Sequence, residues 1–355
     1  MTLTVTTRGF VRGRAVSGWL GVLALAGASL HAQVVPRADT APALDEIRLF
    51  TNLSALAADS MEGRLAGSPG GDRARAFLVG EFARIGLTPL VKGYAIPFSR
   101  RSMFPDPVMS APPPRQTSRF PTTPARTYPL VFGHNLVGIV RGSLHPNRYI
   151  VVSAHYDHLG VLNGEIYHGA DDNASGSAAI LSIAEWTIAH PPLNSVIFAW
   201  FDAEEEGLLG SMAFVDRPPV PLDSIIADVN LDMVSRSSIG ELDVIGALAW
   251  PVMQPFIDTV AAFGLVSVRQ GHEGTPGEPI GSDLTNRSDQ GPFNRKKIPF
   301  VMFSNAEHAD YHQSTDEVTR ITPDFYYHSA QTAAALLHIL DGSLDRVALV
   351  RAGRK

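Results

Sequence analysis

The chain has 355 residues, 45% hydrophobic and 18% charged, an ordinary globular balance with ample length for a core. It holds no cysteine, which excludes disulfides, a thiol nucleophile, thiolate metal sites and a lipid-modified cysteine anchor. Its net charge of −6 leaves no electrostatic footprint for nucleic acid and mostly favours solubility.

At the start of the chain, Arg8, Arg12 and Arg14 stand with no acid nearby, ahead of the apolar stretch Val16 to Leu30. That stretch has signal-peptide length and is too short and too weakly flanked to be a comfortable membrane span; the alternative is an uncleaved membrane anchor. Cleavage is expected after Ala32, which removes three arginines and no acid and takes the net charge from −6 to −9. The expectation is export to a periplasm or out of the cell, with no stable membrane insertion afterwards. Residues 33–45 are Pro/Ala-rich and read as a linker, and 46–355 as a single domain.

Glu46 to Ala58 has helical periodicity. Ser60 to Gly71 is a Gly-punctuated loop, in which Arg64 reads as a solvated charge or one partner of an internal ion pair. Asp72 to Ile85 is a helix stopped by Gly86. Residues 97–129, rich in proline and arginine, read as a long loop or an elaborated surface segment. Strands are expected at Asn135 to Val140, Arg148 to Ala154, Ser195 to Phe201, Ile225 to Leu231, Leu242 to Ile245 and Ile298 to Phe303. Helices are expected at Ser175 to His190, Gln254 to Phe263 and Tyr326 to Leu340. This alternation argues for a three-layer α/β domain.

Chemistry-bearing residues gather where these strands end, the usual place for an active site in an open α/β sheet. His155, Asp157 and His158 follow the Arg148 strand, and Asp171 and Asp172 come about a dozen residues later. Asp202 to Gly207, with three consecutive glutamates, follows the Ser195 strand, and Asp232 ends the Ile225 strand. Asp310 to Asp316, with Tyr311 and His312, lies beyond the last strand. Hydrolases with two metal ions hold them about 3.5–4 Å apart, bridged by one carboxylate, with His, Asp and Glu as the other ligands. Asp171 or Asp172 could be that bridge. Any one cluster alone reads as a turn, a cap or a solvated helix start, but four strand ends presenting such donors point to a metal site.

In this order, HYDHLG, GADDNASG, AEEEGLLGS, NLDM, SDQGPF and DYHQSTD resemble the co-catalytic two-zinc aminopeptidases of peptidase clan MH. That family also contains glutamate carboxypeptidases and glutaminyl cyclases. The resemblance covers roughly residues 46 to 340 and implies a three-layer α/β sandwich, a mixed, mostly parallel sheet of about eight strands flanked by helices. It implies two zinc ions per chain. His155 and Asp232 would bind one, Glu205 and His312 the other, and Asp172 would bridge them. Asp157 would orient a ligand imidazole, Glu204 would be the general base, and Tyr311 would help polarise the substrate carbonyl. The Asp172–Asn173 peptide matches one that is typically cis. Gln290 departs from the family, where many relatives carry His. His158, His168 and His308 match no ligand position and read as structural or pocket-lining.

The activity so implied is release of N-terminal residues from peptides or small amides, with a bridging, zinc-activated water as nucleophile. The rivals on the same scaffold are a glutaminyl cyclase and a carboxypeptidase or amidohydrolase, for which Arg287, Arg295, Lys296 and Lys297 could supply a basic pocket. A non-catalytic, receptor-like relative is the third, and lost ligands would mark it.

Overall fold

The computed structural model describes residues 41–105, 128–278, 282–305 and 307–353, all within the compact unit Val35–Lys355. The proposed signal segment lies outside the described residues, as does most of the Pro/Arg-rich stretch. In chain order, helices α1 (Glu46–Leu56) and α2 (Pro69–Ile85) precede strands β1 (Thr88–Pro89), β2 (Ala95–Arg101), β3 (Leu130–Val140) and β4 (His145–His155). A small hairpin, β5 (Gly160–Leu162) and β6 (Glu165–Tyr167), leads to helix α3 (Gly176–Ala189), strand β7 (Asn194–Phe201), helix α4 (Leu209–Asp216) and strand β8 (Ile225–Leu231). Then come β9 (Glu241–Ile245), α5 (Gln254–Ala261), β10 (Ser267–Gln270), α6 (Gln290–Arg295), β11 (Phe300–Ser304), α7 (Pro323–Gly342) and α8 (Leu344–Gly353).

Nine strands form one sheet in the order β1-β3-β7-β4-β8-β11-β9-β10, with β2 also beside β3. β4 runs parallel to β7 and β8, and β8 parallel to β11. β3 and β9 are antiparallel to their neighbours β7 and β11. The apolar runs sort by twos, as a pleated strand requires. Val196, Phe198 and Trp200 enter one core with Ile150, Val152 and Ala154, under α1, α2, α3 and α7. Ile197, Ala199 and Phe201 enter the other with Val137, Ile139 and Val151, against Phe214 of α4 and Phe293 of α6. The sheet is thus covered on both faces, and its middle strands β7, β8 and β11 are buried along their whole lengths.

Local signals set the helix ends. Asp45 accepts from the Arg48 N–H ahead of α1, and Ser68 from the Gly71 N–H ahead of α2, where Pro69 takes the first helical position. Gly86, at φ 75°, ends α2 in the left-handed region.

The structure corrects the reading in a few places. Ala95–Arg101 is not loop but a strand, in register with β3 from Ala95↔Leu136 to Arg101↔Leu130. Its burial only half alternates, and Pro97 and three polar residues hide the pattern. β10 and the short helices α4, α6 and α8 also went unread, being too short or too even in hydropathy to show a period.

Trp200 is fully buried, 4.4 Å centroid to centroid from Phe82, and its Nε1 donates to Ser177 O at 3.0 Å. Trp200→Ala is expected to cost about 3–5 kcal/mol. The check is the urea midpoint of the metal-free chain, which should fall at an unchanged slope.

Candidate metal centre

Because β4, β7 and β8 are parallel and neighbours, their carboxyl ends deliver side chains to one place. His155 is the last residue of β4, in register with Phe201 of β7, just before Asp202 to Glu205; Asp232 follows β8 directly. Asp172 arrives in the segment entering α3, whose Asp172–Asn173 peptide is cis, and His312 in a loop beyond β11.

The five expected ligands meet. His155 Nε2 lies 3.4 Å from Asp172 Oδ1 and 3.2 Å from Asp232 Oδ1. His312 Nε2 lies 3.1 Å from Asp172 Oδ2 and 3.2 Å from Glu205 Oε2. Each Asp172 oxygen therefore faces a different imidazole. A tetrahedral zinc with bonds of 2.0–2.1 Å separates its donors by about 3.3 Å, so both donor sets fit such an ion. The His155, Asp172 and Asp232 side chains form one compact donor group, and His158, Asp172 and Glu205 another.

The alternative that Asp171 is the bridge fails on its partners. Asp171 is fully buried and accepts from Ser235 N and Oγ (2.8 Å each), Asn305 Nδ2 (2.9 Å) and His308 Nε2 (3.0 Å). Its N–H and that of Asp172 donate to the Asp316 carboxylate at 3.0–3.1 Å. Burial, then Asp171, push the Asp316 carboxyl up to about 6. Asn173 ties the segment to β8, donating to Leu231 O at 2.9 Å.

Asp157 lies beside His155, but its hydrogen bonds run elsewhere. Its Oδ1 is 3.7 Å from His155 Nδ1, beyond hydrogen-bond distance, and that nitrogen lies 3.2 Å from the Asp157 backbone carbonyl instead. The Asp157 carboxylate accepts from the Glu204 and Glu205 N–H groups at 3.0 and 3.3 Å, so it holds the glutamate loop.

Charge is tightly balanced. Burial pushes the Asp172 carboxyl up, but hydrogen bonds from His155 and His312 hold it well below its ordinary range. Burial pulls His312 down, and Asp172 and Glu205 outweigh it, raising the imidazole to about 10. Burial raises the Glu204 carboxyl well above its usual range; Glu205 and Asp232 add to this, and His155 opposes it. Burial, then Asp172 and Glu205, push the Tyr311 phenol far up. Glu204, Tyr311, Asp172, Asp232 and His312 line one cavity of about 330 Å³, together with Met233, Leu284 and Met302.

Arg64 is neither solvated nor half of an ion pair. It is fully buried and its guanidinium donates to main-chain carbonyls of Tyr156 (2.8 Å), Leu56 (2.8 Å), His168 (2.6 Å) and Gly169 (2.9 Å), with Asp172 O at 3.5 Å. It thus clips the loop after His155 to the one before Asp172. Burial lowers its pKa to about 10, offset by Asp172, Asp157, Asp316 and Glu205, so it stays charged at neutral pH. Nothing in a Gly-punctuated loop signals partners about a hundred residues away. Asp202, also unassigned by the reading, accepts from His134 N and Ala203 N (2.8 and 3.0 Å), and burial and Asp157 push it up to about 7. Of the histidines without an assigned role, His168 meets Asp59, His308 meets Asp171 and His158 meets Glu205.

Comparison with known proteins bears on this arrangement. The model for peptidase family M28 matches residues 135–337. An aminopeptidase of Pseudomonas aeruginosa (strain UCBPP-PA14) is 39% identical over 108 residues, 30% of this chain and 19% of that protein. Leupeptin-inactivating enzyme 1 of Streptomyces exfoliatus is 30% identical over 221 residues, 60% of this chain and 46% of that one. The chain therefore spans less than half the length of these two relatives. Among solved structures, a zinc aminopeptidase from Bacillus subtilis superposes with a TM-score of 0.63 at 17% identity, over 84% of this chain and 96% of that one. A Fimbriiglobus ruber glutaminyl cyclase does so at 0.65 and 17%, over 85% and 98%. At such identity the likeness shows the shared fold.

Arg64→Met removes the donor from several buried carbonyls and is expected to cost about 3–5 kcal/mol in urea unfolding of the metal-free chain. Arg64→Lys should recover only part, because one ammonium cannot span the same acceptors. For Asp202, the raised pKa means the folded chain binds more protons than the unfolded one between roughly pH 4 and 7. Its contribution to stability therefore fades as pH rises through about 7, with a slope of at most about 1.4 kcal/mol per unit. Stability measured from pH 4.5 to 8 should be flatter in Asp202→Asn; an unchanged profile would rule this titration out.

Proposed function

Because the chain belongs to peptidase family M28, we propose that it is a zinc-dependent aminopeptidase, releasing N-terminal residues from peptides or small amides. The observation that carries this reading is the two-sided donor set around Asp172, opening on a cavity that also holds Glu204 and Tyr311. His155, Asp172 and Asp232 would hold one zinc; Asp172, Glu205 and His312 would hold the other. Bound there, zinc supplies Lewis acidity to the scissile carbonyl and brings the pKa of an attacking water toward neutrality.

The chain's own residues supply the rest. In the metal-free chain, hydrogen bonds from His155 and His312 outweigh burial and hold the Asp172 carboxyl well below its ordinary range, so it is ready to bridge as a carboxylate. Glu204, whose burial raises its proton affinity, takes the proton of the attacking water and passes it to the leaving amine. Tyr311 keeps its proton and donates a hydrogen bond to the carbonyl oxygen as charge develops there. Asp157, anchoring the Glu204 and Glu205 N–H groups, keeps base and ligand in register.

The reading extends to the whole chain. Residues 46–355 form one catalytic domain, and the arginine-flanked apolar segment before residue 33 supports export. Among the described residues no helix is long and apolar enough to cross a membrane. The acidic balance supports peptides rather than nucleic acid as partners.

The test pairs zinc content with release of the first residue from free and N-acetylated peptides. Expected are two zincs, cleavage of free N-termini only, and loss of activity on chelation. Glu204→Gln should keep both ions while losing about 10²–10⁴ in kcat. A metal-loaded chain that releases nothing would redirect the search to N-terminal glutamine cyclisation and C-terminal glutamate removal.

A further inference from the structure

His158 lies one residue beyond Asp157, is fully buried, and has no ligand position in the proposal above. Its Nδ1 is 2.7 Å from Glu205 Oε1. Two distances separate the roles it could take. Donors sharing a tetrahedral zinc stand about 3.3 Å apart, as the His155 and His312 contacts do at 3.1–3.4 Å. At 2.7 Å, His158 and Glu205 are too close to be co-ligands and are at the length of a charge-assisted hydrogen bond. His158 Nδ1 is also 3.9 Å from Asp172 Oδ2, so it does not reach the bridge.

The two Glu205 oxygens are thereby divided. Oε1 faces His158, and Oε2 faces His312 at 3.2 Å, on the side where the ion would sit. The ring has little freedom. A Cβ at Gly169, whose φ is +55°, would come within 2.0 Å of Asp172 O, 2.5 Å of His158 Cδ2 and 2.6 Å of its Cγ, so a glycine there lets the loop close against the imidazole. The His312 ring approaches edge-on at 5.8 Å. The buried His158 Nε2 has no hydrogen-bond partner, so the ring's hydrogen bonding runs through Nδ1.

We propose that His158 is a positioning residue that holds Glu205 through a hydrogen bond to Oε1, leaving Oε2 alone to bind the metal ion on the His312 side. This gives the two metal positions different support. The Glu205 position depends on an imidazole behind its carboxylate, whereas the Asp232 position does not. The inference rests on the metal-site assignment, and is independent of which bond the enzyme cleaves.

The experiment is a zinc titration of the full metal-free chain against a chromophoric chelator, giving two dissociation constants, with the visible spectrum of the cobalt(II)-substituted protein as second readout. His158→Phe keeps a ring against Gly169 and removes the donor; His158→Asn replaces the donor near Nδ1. The expected result for His158→Phe is a 10- to 100-fold weakening of one zinc site with the other within twofold of wild type, and a changed cobalt spectrum. His158→Asn should recover most of that loss.

Two outcomes overturn the proposal. Both dissociation constants within twofold of wild type in His158→Phe, whatever its melting temperature, would make the residue mere packing. Loss of a whole equivalent of zinc in His158→Asn as well as His158→Phe would make it a ligand. A wild-type chain that binds two zincs yet releases no N-terminal residue would sink the peptidase reading and leave this titration fully interpretable.

Discussion

Asp157, Asp172, Glu204, Glu205 and Asp232 crowd one end of the sheet, largely shielded from solvent, and their mutual repulsion is the constraint to which the surrounding structure answers. Carboxylates so placed either take up protons or must be met by donors and cations. Here the main chain does much of the meeting. Asp157 accepts two backbone N–H groups from the glutamate loop, and Asp316 accepts two from the Asp171–Asp172 segment. Asp171 is saturated by Ser235, Asn305 and His308. Arg64 adds a permanent cation bonded only to carbonyl oxygens, so its charge is left to act on the acids around it. Where donors do not suffice, proton affinity rises instead, as at Glu204.

This answer is possible because the site is built where parallel strands end. β4, β7 and β8 are fixed against each other by ladder hydrogen bonds and by cores on both faces, so residues just past their last bonds inherit the precision of the sheet. Register matters as much as order. Side chains alternate along a strand, so a slip of one residue in β4 would turn His155 from the site toward a core. The two apolar cores that pin the register thus also pin the chemistry.

The acids themselves were legible as motifs. His155, Asp172, Glu204, Glu205, Asp232, Tyr311 and His312 each stand in a short, ordered pattern, and the structure gathers all seven. The main strands were legible too, since runs such as Ser195 to Phe201 are apolar on both alternating faces. β2 was not, because an edge strand with one solvated face and a proline carries little of the period. Asp157 stands beside His155 as its motif implies, but its hydrogen bonds to a loop nearly fifty residues on were not legible.

The sequence by itself determined which residue types stand at which strand ends, and with them the family, the sheet and the donor set, because these depend on local hydropathy and on short motifs that a chain carries along its length. Only the tertiary structure decided what supports those donors. Arg64 becomes a clip rather than a surface charge because folding buries it between two loops. Asp171 is spent on Ser235 and Asn305 while its neighbour Asp172 turns inward, and His158 closes on one oxygen of Glu205. Each of these is a contact across 47 to 134 residues of chain, made by side chains whose identity permits many partners and whose burial selects one.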